Sequence, residues 1–359
     1  MPTLFDPIKI GAIEAPNRIF MAPLTRGRGT RAHVPTAIMA EYYAQRATAG
    51  LIITEATGIS QQGLGWPGAP GLWSSEQVAA WARIVKAVHG AGGRIVAQLW
   101  HMGRIVHPDF LGGEPPVSAS ATLAPGHGHT YDGPKPYARA RALEGPQIKQ
   151  IVRDYVRAAE HALQAGFDGV QLHAANGYLI DQFLRDGTNQ RRDEYGGSIE
   201  NRVRLLREVT QALVGTVGKE RTGVRLSPND DPQGCGDSQS EALFSHAATA
   251  LSELGIAFLE MRAARPASTF RPGIRQVVPL IRRAFKGPLI LNSDYLLADG
   301  SAELRDGHAD AIAFGRAFLA NPDLPERLRC NAGLNAAQKA TFYTPGHAGY
   351  TDYPRLHLP

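Results

Sequence analysis

Cysteine is nearly absent: the 359-residue chain carries two, Cys235 and Cys330. Thiols this far apart offer neither a disulfide framework nor a zinc ligand spacing, and their scarcity suits a reducing compartment. Long apolar runs are also missing, since no stretch approaches the roughly 18 apolar residues that a membrane-spanning helix needs. The first residues, Met1-Pro-Thr-Leu-Phe-Asp-Pro7, lack the basic-then-apolar pattern of a leader. A cytoplasmic protein is expected. Blocks of like charge are lacking too. The Lys+Arg count is 38 against 33 Asp+Glu, a formal net charge of +5, and the two signs are interspersed. Neither nucleic acid nor a membrane surface is therefore an expected partner. There is no G-x-S-x-G elbow, and no lysine ends a candidate strand, which counts against Schiff-base chemistry. His101, His107, His127 and His129 have no carboxylate or cysteine at zinc spacing, so no metal is expected.

Glycine (39), proline (25) and a 43% hydrophobic share describe a loop-rich globular α/β chain. Short, nearly continuous apolar runs recur at 18–24, 51–58, 94–100, 169–173, 223–227, 258–261, 288–292 and 311–315. Such runs suit parallel strands covered on both faces. Helical spacing separates them, for example at 77–90 (with Ser74 and Gln77 as a capping box), 147–166 and 199–214. Eight alternating units predict an α/β (β/α)8 TIM barrel, with an open doubly wound sheet as the alternative. Residues 3–17 read as a hairpin capping the closed end. Residues 103–146, rich in Gly, Pro and His, form an insertion after strand 3 that reads as a lid. One domain, 1–359, accounts for the whole.

Barrel enzymes work from the C-terminal ends of their strands. Those ends carry Thr25, Glu55, Gln98, His101, His173, Asn176, Arg225, Asn292 and Arg316. His173 and Asn176 are three apart where a strand gives way to a helix, so both can turn to one side and hold a substrate oxygen. Tyr178 follows as a possible proton donor. A core histidine beside a helix-capping Asn is the plainer alternative. The Gly315-Arg316 pair after strand 8, with Asn292-Ser293-Asp294 after strand 7, suits a phosphate. Arg225 offers a fixed charge for a flavin N1/O2 edge, the alternative being a scaffold ion pair. Gly63-Leu-Gly65-Trp-Pro-Gly68 matches G-x-G-x-x-G, but Pro67 and Pro70 intervene and the next helix starts near Ser75, so it reads as a loop over the site.

Long motifs then set the chain beside a family. Asn17-Arg-Ile-Phe-Met-Ala-Pro-Leu-Thr-Arg26, Gln98-Leu-Trp-His-Met-Gly-Arg104 and Phe167-Asp-Gly-Val-Gln-Leu-His-Ala-Ala-Asn-Gly-Tyr178 come first. Tyr195-Gly-Gly-Ser-Ile-Glu-Asn-Arg202, Ala313-Phe-Gly-Arg316, Asn321-Pro-Asp-Leu324 and Gly349-Tyr-Thr-Asp-Tyr-Pro354 follow in order. In these the sequence resembles the old yellow enzymes, especially bacterial reductases of enones, maleimides and nitrate esters.

The resemblance implies non-covalent FMN and NADPH or NADH as hydride donor. It implies a ping-pong hydride transfer through flavin N5 to an α,β-unsaturated carbonyl, with nitro compounds and nitrate esters as further candidates. Pro23, Leu24 and Thr25 would lie along the isoalloxazine, with Thr25 tuning its potential. Ala56 and Gln98 would contact the pyrimidine end and Arg225 the N1/O2 side, while Ser293, Gly315 and Arg316 would hold the phosphate. His173 and Asn176 would bind the substrate oxygen and Tyr178 would protonate. Trp66, Trp100 and Tyr350 would shape the pocket. Trp66 stands where many members have Tyr, and Ser293-Asp294 replaces a Gly-rich pair. The small-molecule substrate is the expected partner, on a monomer or homodimer. With Cys330 alone in the tail, no iron–sulfur cluster is expected.

Overall fold

The structure is a computed structural model that describes residues 2–229, 231–262 and 277–356. Eight parallel strands close on themselves: β1 Ile19–Met21, β2 Ile52–Ile53, β3 Ile95–Trp100, β4 Gly169–His173, β5 Thr222–Leu226, β6 Phe258–Arg262, β7 Leu289–Asn292 and β8 Ala311–Phe314. Closure is direct, with β8 pairing β1 through Ile312↔Ile19 and Ala313↔Phe20. The TIM barrel expectation holds and the open sheet does not. Strands buried on both faces explain the unbroken apolar runs.

Two strands are shorter than the sequence suggests. β1 stops at Met21, because Pro23 has no N–H for a ladder. The run at 51–58 divides into Ile52–Ile53 and a separate Thr57–Gly58 pairing alongside β3, with Glu55 and Ala56 in the break.

The outer helices are set by their own ends. The helix Ser75–Gly90 starts on the expected box: Gln77 N–H donates to Ser74 Oγ at 3.3 Å and Ser74 N–H to Gln77 Oε1 at 3.2 Å. The helix Gly145–Ala165 stops at Gly166 in a left-handed conformation, φ +87°. The helix Ile199–Val217 runs one turn beyond its expected end.

The N-terminal hairpin, Ile8–Ile10 with Ile13–Ala15, plugs the N-terminal end of the barrel. Ile10 and Ile13 pack with Phe20, Leu51, Val96, Phe258 and Ile290, inside the barrel. Each isoleucine contributes about 1.5–3 kcal/mol by burial. Gly11 is obligatory: its φ is +59° and a Cβ would sit 2.1 Å from Glu220 O. With one end sealed, a ligand enters only from the other. The insertion contains the antiparallel hairpin His127–Thr130 with Gly133–Pro136, and a parallel pairing of Val117–Ser118 with Arg141–Ala142. Among the described residues no helix is long and apolar enough to cross a membrane.

Candidate active site

A cavity of about 500 Å³ opens at the C-terminal end of the strands, within the range of small-molecule sites. It brings together Pro23, Leu24, Thr25, Ala56, Trp66, Gln98, Trp100, His173, Asn176, Tyr178, Arg225, Ser293, Gly315 and Arg316. These residues come from seven strand ends and the loop at 63–70.

Beneath the cavity a belt of polar side chains crosses the barrel. Gln98 Nε2 donates to Gln171 Oε1 at 2.7 Å, and Gln171 Nε2 to Glu260 Oε2 at 2.7 Å. Glu260 Oε1 faces Arg225 Nε at 3.1 Å. Arg225 Nη2 then donates to Asn292 Oδ1 at 2.5 Å, and Asn292 Nδ2 to Ala313 O at 2.7 Å. Burial pushes the Glu260 carboxyl up, opposed by Arg225 and the Gln171 amide. The belt aims Gln98 and Arg225 by fixing one side of each, which leaves Gln98 Oε1 and Arg225 Nη1 with no hydrogen bond among the described residues. Gln171 and Glu260 escaped the sequence reading. Their signal was there: polar residues in mid-strand, which an apolar barrel tolerates only when they are partnered.

His173 ends β4, and its ring is almost wholly buried. Ala175 N–H donates to Nδ1 at 3.3 Å, so the neutral ring carries its proton on Nε2. Burial holds the imidazole well below its ordinary range, reinforced by Arg225 and then Arg262. Asn176 Nδ2 lies 3.4 Å from His173 Nε2, so two neutral donors stand side by side. The two converge for a different reason from helical spacing. The helix Leu179–Leu184 begins only after Tyr178, and the chain doubles back through Asn176 (φ +63°) and Gly177 (φ +75°). Asn tolerates this region, and Ser227 Oγ fixes it by accepting Asn176 N–H at 2.8 Å. Tyr178 stands edge-on to both neighbours, 4.9 Å from the Trp100 ring and 5.0 Å from His173. Burial pushes its hydroxyl upward, so the phenol is protonated.

Two rim residues do other work. Glu55 lies away from the cavity; its Oε2 accepts Arg26 N–H and Gly27 N–H, each at 3.2 Å, and so shapes the loop that presents Pro23–Thr25. His101 is fully buried, with Nδ1 accepting Gly103 N–H at 3.0 Å, and it packs under Gly63.

Tyr350 lies elsewhere than expected. It does not line the cavity: its ring stacks on Tyr42 at 4.1 Å, with the Arg26 and Arg28 guanidinium groups 5.1 and 4.5 Å from its centroid. Those arginines pin the tail. Arg28 Nη1 donates to Phe342 O at 2.8 Å and Arg26 Nη2 to Gly349 O at 2.7 Å. The wall expected from Tyr350 is formed instead by Phe342 and Tyr343, with Tyr343 5.3 Å from Trp66. His129 of the insertion covers Trp66 from outside at 4.4 Å. No sequence signal marked this pair, because the tail is held at the rim by contacts that reach more than 300 residues back along the chain.

Arg262 and Asp294 also line the cavity, and Asp294 is ion-paired with Arg316. Among the described residues no cluster of His, Cys, Asp and Glu is placed to hold a metal. The loop at 63–70 opens no helix, so its glycine pattern serves packing: a Cβ on Gly65 would sit 2.7 Å from Val106.

A sealed barrel whose mouth holds paired neutral donors beside Arg225, with Gly315 and Arg316 four strands away, has the layout of a barrel flavoprotein. The comparisons define it further. Residues 3–335 match the NADH:flavin oxidoreductase / NADH oxidase family. The chain is 60% identical to the old yellow enzyme homologue of Zymomonas mobilis, over 99% of this chain and 100% of that one, with a TM-score of 0.96. It is 45% identical to morphinone reductase, solved in complex with tetrahydroNAD, over 99% and 98% of the two chains, with a TM-score of 0.94. It is 42% identical to 12-oxophytodienoate reductase 1 of Oryza sativa subsp. japonica, over 98% and 93%. The chain belongs to the NADH:flavin oxidoreductase / NADH oxidase family and is an old yellow enzyme-type flavin oxidoreductase. Its cofactor is FMN, with NADH or NADPH as hydride donor.

Proposed function

We propose that this enzyme reduces the activated C=C bond of α,β-unsaturated carbonyl compounds in a ping-pong cycle. The observation that carries the reading is the neutral pair His173 Nε2 and Asn176 Nδ2 with the protonated Tyr178 beside them, on the wall opposite Gly315 and Arg316.

The residues present fit FMN. Arg225, held by Glu260 and Asn292, suits the N1/O2 edge, where negative charge collects on reduction. Gln98 Oε1 suits the ring's pyrimidine N–H, beside Ala56. Pro23, Leu24 and Thr25 lie on the loop fixed by Glu55, placed to run along the ring. Ser293, Gly315 and Arg316 suit the phosphate, with Arg316 exchanging Asp294 for it. The chemistry FMN supplies when bound is hydride transfer from NAD(P)H to the substrate's β-carbon.

The chain's own part follows from its geometry. His173 and Asn176 donate to the substrate oxygen, and their bonds strengthen as that oxygen gains enolate charge. Neutrality matters: an imidazolium would bind any anion, whereas a neutral donor is selective for charge that develops during the reaction. Tyr178 passes its proton to the α-carbon. Trp66, Trp100, Phe342 and Tyr343 exclude water above this pair, and the 103–146 insertion acts as an outer cover through His129. A nitro oxygen meets the same two donors, which extends the reading to nitro compounds and nitrate esters.

An absorbance spectrum and an anaerobic cycle with NADPH and then 2-cyclohexenone test it. The flavin band should bleach and then return. A flavin that is reduced but never reoxidised by any activated alkene would leave a flavin-binding barrel without ene-reductase activity.

A further inference from the structure

The loop after β5 packs directly onto the Asn176–Tyr178 turn. Gln233, in this loop, has φ +55°, a left-handed backbone that a non-glycine residue keeps only where its surroundings over-determine it. The constraint comes from behind. Arg104 Nη2 donates to Gln233 O at 2.8 Å, while Arg104 Nη1 is braced by Thr122 Oγ1 at 3.0 Å. Arg104 is 2% exposed and ties the insertion to this loop. In front, Gln233 Nε2 donates to Asn176 O at 2.8 Å. Burial pushes the Tyr178 hydroxyl up, and the Gln233 side chain opposes that shift. Loop and turn also meet at Gly177, where a Cβ would lie 2.5 Å from Pro232 O.

We propose that Gln233 is a positioning residue for the proton donor: anchored by Arg104, its amide holds the turn that presents Asn176 and donates to the Tyr178 oxygen as the phenol gives up its proton. The inference rests on the ene-reductase reading. In that step the Tyr178 O–H bond breaks, a C–H bond forms at the substrate's α-carbon, and the electron pair stays on oxygen as a phenolate. Water returns the proton after product leaves. The phenolate forms where burial disfavours it, and a neutral amide N–H stabilises it without bringing a second charge into the site.

The test uses holoenzymes carrying Gln233→Leu or Gln233→Asn, each in wild-type and Tyr178→Phe backgrounds. Anaerobic stopped-flow absorbance follows the two half-reactions, and amide hydrogen exchange follows residues 174–178. Gln233→Leu should slow reoxidation by 2-cyclohexenone about tenfold, the effect of one hydrogen bond to a developing charge, with flavin reduction by NADPH within about twofold of wild type. Asn should restore part of the rate. In the Tyr178→Phe background the leucine should cost less than in the wild type, since the part of its effect that acts through the phenol is already lost. Exchange at 174–178 should quicken in the leucine variant. Equal slowing of both half-reactions, full additivity with Tyr178→Phe, or unchanged exchange overturns the proposal. Should wild-type flavin resist reoxidation by every activated alkene, the ene-reductase reading fails instead, and the exchange result decides whether Gln233 holds the turn.

Discussion

Replacing Tyr178 by Phe removes one O–H group and little else. The ring is held edge-on between Trp100 at 4.9 Å and His173 at 5.0 Å, contacts that phenylalanine keeps. Gln233, behind the turn, retains its bond to Asn176 O. Fold and flavin binding should therefore survive. What is lost is a positioned acid, worth roughly 10²–10⁴ in rate, or about 2.7–5.4 kcal/mol of barrier. The loss should fall on one half of the cycle, because hydride transfer from NAD(P)H requires no proton from Tyr178. Stopped-flow absorbance, with reduction by NADPH and reoxidation by 2-cyclohexenone measured separately, reads both halves. Reoxidation should fall by two or more orders of magnitude while reduction changes little. Equal losses in the two halves would refute the proton-donor assignment, since they would mean that Tyr178 shapes the cavity rather than supplying a proton.

His173→Ala removes one of two donors to an enolate-like oxygen. Binding of p-hydroxybenzaldehyde, read from its long-wavelength charge-transfer band, should weaken about 10- to 100-fold; an unchanged titration contradicts the oxygen-binding role. Acid should destabilise the protein through its buried histidines. His101 sits at about 3 against an unfolded value of 6.5, so the unfolded chain takes up the proton first and stability is lost as pH falls below 6.5. At pH 5 that amounts to about 2 kcal/mol for this residue alone. His33 and His173 are lowered as well and act in the same direction. Thermal melts at pH 7 and pH 5 should show the drop, and a His101→Gln variant should flatten it; equal slopes would exclude His101 as a source. Asp294→Asn releases Arg316 from its ion pair. FMN affinity, from quenching of flavin fluorescence, should rise about threefold at low salt and less at high salt. No change would show that Asp294 moves aside without cost when FMN binds.

Most of the barrel was legible because its strands are buried on both faces and therefore read as unbroken apolar runs, while capped helices such as Ser75–Gly90 announce their ends chemically. The strand ends were less legible. At 18–24 and 51–58 the apolar character continues past the last ladder bond, and hydrophobicity does not report where hydrogen bonding stops. Site residues were readable where they sit at strand ends within local motifs. His173, Asn176 and Tyr178 share one turn, so their proximity is a local fact.

Tyr350 shows the limit. Its sequence position is close to Tyr343, yet it faces a buried stack with Tyr42 and two arginines, and Phe342 and Tyr343 face the cavity. That choice depends on Arg26 and Arg28 reaching carbonyls more than 300 residues away. By itself the sequence determined the parallel barrel, the N-terminal plug and the short segments that carry donors and arginines, because periodicity, capping and turn chemistry act over a few residues. Only the tertiary structure decided what faces the cavity from the tail and how the Gln98–Gln171–Glu260–Arg225 belt aims its members. It also set the Arg104–Gln233 brace behind the proton donor. These arrangements come from side chains on different strands meeting in a closed ring, and no spacing along the chain encodes which of them meet.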